Sequence, residues 1–400
     1  MGSYDGNFRV PDGMGDTKGH IYAGWHDSYF YGSGDSARAP VRNFFHAALV
    51  VYGLPDGFHH RKSAQPFGKA RENFPCRKWG DSSMIEAKSI SKFFSVINEK
   101  GIAEGLTACL NISLNIPDGK IVSLLGPSGC GKSTFLEILG GLQAPTDGTI
   151  HIDGKLVLEP LPATRKEQIA YKRRYRFISP LANGVLRDHP KHDIAMIFQD
   201  YAVFPWMTAL HNVEFALKLR NAGRKGKARL RRAEITEKAL FFLQKVGLAS
   251  FANKYPSQLS GGMRQRLALA RALSVEPSII LMDEPFAAVD ALTREKLQDE
   301  LLRLLSERNM EGRSGGEPRP LASAAGSPLT AVLVTHEVQE AVYLSDEVII
   351  FSPSPGSIRN RIPINVKRPR ARTDPELLDI QDRIFAMFQY DINQEAEYSI

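Results

Sequence analysis

A chain of 400 residues, 43% hydrophobic and 24% charged, can bury a sizeable core in two or three units and has the make-up of an ordinary soluble globular protein. Its longest purely apolar runs, such as Ala47 to Tyr52, fall far short of the roughly 20 residues that span a bilayer, and the start MGSYDGNFRV carries neither a basic n-region nor an apolar h-region, so the cytosol is the expected compartment. The net charge of +7 reads as scattered solubilising Lys and Arg, and the three cysteines, without CxxC spacing, point to neither a disulfide framework nor a zinc site.

Residues 1–83, rich in Gly, Asp, Ser and aromatics (GHIYAGWHDSYFYGSGDSARAP), sustain no period of 2 or 3.6 and read as an irregular extension. Gly6 stands where a myristoylation pattern wants Ser or Thr. Patterning begins at Met84, which is expected to be the physiological start; recovery of residues 1–83 intact from native protein by N-terminal sequencing would overturn that. MIEAKSISKFF and LTACLNISLNI alternate as two strands about a Gly-containing turn, and PDG precedes a third, buried strand, KIVSLLG.

That strand runs into GPSGCGKST and then the helical pattern TFLEILGGL, the context a P-loop requires. Gly126, Gly129 and Gly131 admit backbone conformations that a side chain forbids, so the N–H groups of the loop formed with Pro127, Ser128 and Cys130 can face nucleotide phosphates at a helix N-terminus. Lys132 reaches the β and γ phosphates, Ser133 places its hydroxyl on Mg²⁺, and Thr134 continues into the helix. Binding of ATP or GTP follows. An insertion is expected from about Pro160 to His192, where KRRYR (172–176) interrupts the path between strands.

IAMIFQ reads as another apolar strand, ending at Gln199, whose amide oxygen can touch Mg²⁺ or an attacking water. RKGKARLRR (224–232) reads as a solvated face. LSGGMRQ follows; at its helix N-terminus Ser260 and the N–H groups of Gly261 and Gly262 can hold a γ-phosphate. SIILMDEP is a buried parallel strand that delivers two acids at its carboxyl end: Asp283 for the Mg²⁺ shell and Glu284, one position on, as general base or water-orienting residue. EGRSGGEPRPLASAAGSP is expected to be a flexible surface loop. AVLVTH is a strand ending in His336, where imidazole can hydrogen-bond the γ-phosphate. Gln199, Asp283 with Glu284, and His336 thus form one rim around a phosphate.

A P-loop, Gln199, LSGGMRQ, DE and His336, in that order, resemble the nucleotide-binding subunit of an ABC transporter, from about Met84 to the C-terminus. FPWMTALHNV, GPSGCGKST and the tail EAVYLSDEVIIFSPSPGSIRNRIPI resemble the nitrate, sulfonate and taurine importer branch. The resemblance implies an α/β P-loop NTPase core of RecA-like type with an antiparallel β subdomain and an inserted α-helical subdomain at about 200–255. The ATPase domain would span 84–351, with insertions at about 160–191 and 310–328 and a tail over 352–400. It also implies that Phe94 stacks on adenine, with adjacent Phe93 an alternative, and that Asp290 in AAVD is the D-loop aspartate. Ser260–Gly262 would serve the ATP held by a second ATPase subunit, most simply another copy.

The expected activity is ATP hydrolysis that powers a pair of transmembrane permease subunits, indirectly served by a solute-binding protein, from the cytoplasmic face of the inner membrane, with no nucleic-acid partner. The alternative is a soluble ABC-type ATPase acting on nucleic acid or ribosomes; such proteins carry long heptad segments or two cassettes in one chain, and the sequence has neither. A non-catalytic regulatory cassette is disfavoured by intact Lys132 and Glu284.

Overall fold

The computed structural model describes residues 83–97, 103–160, 194–222, 229–287, 289–311 and 328–397. The extension up to residue 82, the Gly-containing turn after β1, the KRRYR excursion and most of the Gly- and Pro-rich spacer lie outside the described residues.

Two sheets organise the chain. In the first, β1 (Ser83–Ile97) is flanked by β2 (Ala103–Pro117) and β4 (Asp147–Ile152), and β5 (Lys155–Leu158) pairs on β4, every pairing antiparallel. Period-two alternation explains β2: Ile112, Leu114 and Ile116 are buried while Asn111, Ser113 and Asn115 face outward.

The second sheet has the order β10-β9-β3-β8-β7-β6. Its members are β3 (Ile121–Leu125), β6 (Ile194–Ile197), β7 (Ile279–Asp283), β8 (Thr330–Thr335), β9 (Glu347–Phe351) and β10 (Ile358–Pro363). All neighbours are parallel except β10, which closes the edge antiparallel to β9. β3, β7 and β8 are buried at every position and do not alternate; they are mainly apolar, as strands covered on both faces are, with Ser123, Asp283, Thr330 and Thr335 as their buried polar members.

Helix α1 (Lys132–Leu139) follows β3 and packs against β7 and β8. Helices α2 (Ala209–Ala222), α3 (Arg232–Lys245) and α4 (Gly261–Ser274) pack on one another between β6 and β7, giving the helical insertion. α5 (Ala291–Glu311) leads toward β8, α6 (Val338–Leu344) joins β8 to β9, and α7 (Pro375–Glu397) packs on α6. Residues 352–397, set apart in the sequence as a tail, therefore contain a strand of the core sheet and a helix whose Leu377, Ile380 and Ile384 are buried.

The parallel register decides where the chemistry sits. Leu125 is level with Thr335, Asp283 with Val334, and Ile197 with Met282. The residues that follow all leave the sheet at one edge, the place where open α/β sheets bind ligands.

Candidate active site

At that edge β3 gives way to the loop Gly126–Gly131. Gly131 is the N-cap of α1 with φ 96°, and a Cβ built there meets the carbonyl oxygen of Ala108 at 2.1 Å, so no other residue fits. Gly129 is also left-handed, at φ 76°, but its surroundings are open. Cys109 packs beneath the loop and donates to the Gly131 carbonyl at 3.3 Å; burial pushes its thiol up to about 12, so it stays protonated. The loop is thereby clamped between β3 and the antiparallel sheet, which also bonds to the turn after β9 beside the loop, through Leu110 N–H to Gly356 O at 2.9 Å and Gly356 N–H to Ala108 O at 3.1 Å.

Lys132 is only 5% exposed, and its ammonium turns back onto the loop, donating to the carbonyls of Gly126 (2.8 Å) and Pro127 (2.7 Å). A buried cation needs such partners, and phosphate oxygens are a stronger alternative of the same kind. Beside it Ser133 Oγ donates to Asp283 Oδ1 at 3.0 Å, bringing together the end of β7 and the start of α1. Burial raises the pKa of Asp283, and the charge of Glu284 adds to this against the Ser133 hydrogen bond and Lys132. A hydroxyl and a carboxylate converging in a site that disfavours unpaired negative charge is an oxygen donor set suited to a hard divalent cation such as Mg²⁺.

Glu284 occupies the centre of the rim. Its backbone is left-handed, φ 44°, and is held by donation of its N–H to Val334 O at 3.0 Å. A non-glycine residue in this region stores strain, which concentrates at functional sites. Its two carboxylate oxygens are divided between neighbours: Gln199 Nε2 donates to one at 3.3 Å, and His336 Nδ1 lies 3.1 Å from the other. Gln199 follows β6, Glu284 follows β7 and His336 follows β8, so three adjacent strands deliver one row of side chains.

The remaining sequence-predicted residues lie away from this row. Phe94 is half-buried in β1, with Lys92 Nζ 5.1 Å from its ring centroid, on the strand face that also carries Lys92 toward Cys109; Phe93 points the other way and is 47% exposed. Ser260 caps α4, its hydroxyl accepting from Met263 N–H at 3.3 Å. Gly262 sits against the D-loop: a Cβ there meets Val289 Cγ1 at 3.2 Å and Thr293 Cγ2 at 3.3 Å. Asp290 Oδ1 accepts from Thr293 N–H at 3.0 Å, and backbone hydrogen bonding to Thr293 holds its carboxyl below the usual range.

Several supporting residues escape a reading of motifs. Arg271, buried in α4, donates to the carbonyls of Ala202 (2.5 Å) and Tyr201 (3.1 Å), both left-handed residues just beyond Gln199. Gln265 of the same helix donates to Pro285 O, directly after the acid pair. The helix that begins with Ser260 is thus tied to the segments carrying Gln199 and Glu284. Arg294 pairs with Glu337 and donates to Val289 O at 3.2 Å, linking α5 to the residue after His336. Behind His336, burial pushes the Glu340 carboxyl up to about 8, and Thr335 Oγ1 donates to it at 3.2 Å. The only signal of these in the sequence is an arginine interrupting the apolar run LALARAL.

A parallel sheet with a phosphate loop after β3 and acids at the end of β7 defines a P-loop nucleoside triphosphatase fold, and the comparisons with known proteins make the class narrower. The sequence profile described as "ABC transporter" matches residues 109–287. The nitrate import ATP-binding protein of Synechocystis is 33% identical over 322 residues, 78% of this chain and 98% of that protein. The aliphatic sulfonates import ATP-binding protein of Bacillus subtilis is 33% identical over 293 residues, 73% of this chain and 91% of its own length. Among solved structures, a dimeric ATP-binding cassette in a post-hydrolysis state with ADP and Pi is 30% identical, with a TM-score of 0.52, covering 71% of this chain and all of that one. The chain belongs to the ATP-binding proteins of ABC transporters, ATPases coupled to transport. The expected fold class, a P-loop core with an antiparallel β subdomain and a helical insertion, is borne out. Among the described residues no helix is long and apolar enough to cross a membrane.

Proposed function

We propose that this chain hydrolyses ATP for an importer of a small oxyanion or related solute, in the class that includes nitrate, sulfonates and taurine. It works as a dimer on the cytoplasmic face of the membrane, against a pair of permease subunits that a solute-binding protein supplies. Nitrate and aliphatic sulfonates are named for two relatives that the chain matches over more than nine-tenths of their length. Both solutes are anions, and their selection belongs to subunits other than this one.

The observation that carries the mechanism is the placement of Glu284 between Gln199 and His336. When ATP binds, Lys132 exchanges the carbonyls of Gly126 and Pro127 for the β and γ phosphates, while the N–H groups of the loop hold the phosphate chain. Phe94 stacks on adenine. Ser133, Asp283 and the amide oxygen of Gln199 would hold Mg²⁺, which when bound would supply positive charge to the leaving phosphate. Glu284 then exchanges the Gln199 amide for the attacking water, orients it and accepts its proton. His336 bonds the γ-phosphate and so registers its loss. Ser260, Gly261 and Gly262 of the second subunit close the site, with Asp290 at the dimer contact, so that hydrolysis separates the pair.

Glu284→Gln tests this reading. The variant should bind ATP with wild-type affinity and accumulate as a nucleotide-bound dimer in size-exclusion chromatography, while turnover falls on the order of a hundredfold or more, the range for a lost general base. Undiminished hydrolysis by this variant would remove Glu284 from the role.

A further inference from the structure

The segment after β10, residues 364–374, carries three arginines at alternate positions, and each has a task in the fold. Arg370 is 7% exposed and donates to five carbonyl oxygens: Val342 (3.1 Å), Tyr343 (2.9 Å), Ser345 (2.7 Å), Ile364 (3.3 Å) and Val366 (2.9 Å). The first three belong to the C-terminal end of α6, where carbonyls lack intrahelical partners and a cation is favoured. Arg368 adds a bond to Leu344 O at 2.6 Å and another to Asp346 Oδ1 at 2.6 Å. Arg372 turns outward across two helices. Its guanidinium lies 3.8 Å from the centroid of the Tyr343 ring on α6 and donates to Asp299 Oδ1 (2.9 Å), Gln298 Oε1 (3.1 Å) and Glu295 O (3.1 Å) on α5. Tyr343 donates its own hydroxyl to the same Asp299 oxygen at 2.7 Å.

The two helices so joined are those that begin at the site. α6 starts two residues after His336, and α5 starts directly after Asp290. Near those starts the Arg294–Glu337 pair connects them; at the far end of α6 the connection is Arg372, Tyr343 and Asp299. With α6 fastened at both ends to the first half of α5, the two move as one body there, because neither can slide or rotate without breaking a charge-assisted bond.

We propose that the Arg368–Arg372 arm is a positioning device for the reaction, with Arg370 fixing α6 and Arg372 locking it to α5, so that His336 and Asp290 keep a fixed spacing during turnover. The arm touches neither nucleotide nor reacting atoms, and its effect passes through His336. It gives residues beyond the core a part in hydrolysis. The proposal rests on the reading of His336 given above.

The test uses the full chain, with Arg372→Ala and the milder Asp299→Asn, whose site is half exposed and whose shape is kept. ATPase kcat should fall roughly three- to thirtyfold for Arg372→Ala, the span of effects seen when coupling elements are altered, and less for Asp299→Asn, while KM for ATP stays within about twofold. Arg372→Lys should recover only part of the loss, since an ammonium cannot stack and fork to three acceptors at once. In a His336→Ala background Arg372→Ala should add no further loss. Unchanged kcat in both Arg372→Ala and Asp299→Asn would overturn the proposal, as would losses that add to that of His336→Ala, or a KM that rises as kcat falls. If His336→Ala itself turned over like wild type, the reading of His336 would fail instead, so the two failures are distinguishable.

Discussion

At the carboxyl edge of the parallel sheet the polar side chains find partners within one chain: Lys132 on the carbonyls of Gly126 and Pro127, Ser133 on Asp283, Gln199 and His336 on Glu284. At the start of α4, Ser260 is exposed and bonds its own helix, and the first N–H groups of any helix have no intrahelical partner. One region is closed on itself, and the other is an exposed helix start, which the proposed function gives to the nucleotide of a second copy. On the proposed reading, a single chain assembles the hydrolytic row and takes a second subunit to enclose the nucleotide. The difference between the regions also separates two kinds of strain: left-handed Glu284 within the row, and left-handed Tyr201 and Ala202 in the segment that joins the row to the helices.

The comparison can be broken most forcefully at the closed region. Gly131→Ala places a Cβ 2.1 Å from the Ala108 carbonyl and demands an unfavourable φ, so the loop must shift. ATP affinity, followed with a fluorescent analogue, should fall by on the order of a hundredfold or more; near-normal binding would mean that the loop tolerates displacement. A smaller effect is expected where the two regions join. Arg271→Ala strips the buried carbonyls of Tyr201 and Ala202 of their donor, and an unsatisfied buried group costs about 1–3 kcal/mol. Denaturant unfolding should report a loss of about that size, together with a reduced kcat, because Gln199 precedes the loosened segment. Loss of stability with kcat intact would show that the tie is only structural.

Much of this was legible before folding. β3, β7 and β8 stand out because strands covered on both faces are mainly apolar and do not alternate, and each runs into the residue types that handle phosphate. α4 announces itself by LSGGMRQ. Illegible parts depend on partners distant in sequence. Nothing near Arg271 says that its acceptors lie 69 and 70 positions away, and the Arg294–Glu337 pair spans 43. β10 hides because it is short, has the polar Asn360 between Ile358 and Ile362 on its inward face and ends in Pro363, although it needs only an edge position on β9. α7 is a different case: Leu377, Ile380, Gln381 and Ile384 follow helical spacing and are all buried, so that pattern was there to be read. The acids and amides of the row were foreseen individually, but the division of the Glu284 carboxylate between Gln199 and His336 follows only from the order of β6, β7 and β8.

The central claim, a site whose two halves come from different copies, is tested most directly by mixing two inactive chains. Lys132→Ala removes the phosphate cation from one, and Ser260→Arg blocks the helix tip of the other; each alone should be nearly inactive. In a mixed dimer one of the two sites pairs an intact Lys132 with an intact Ser260, so an equimolar mixture should regain about a quarter of the wild-type ATPase rate, since half of randomly formed dimers are mixed and each holds one complete site. No recovery from mixing, with mixed dimers verified by differential tagging, would contradict the account.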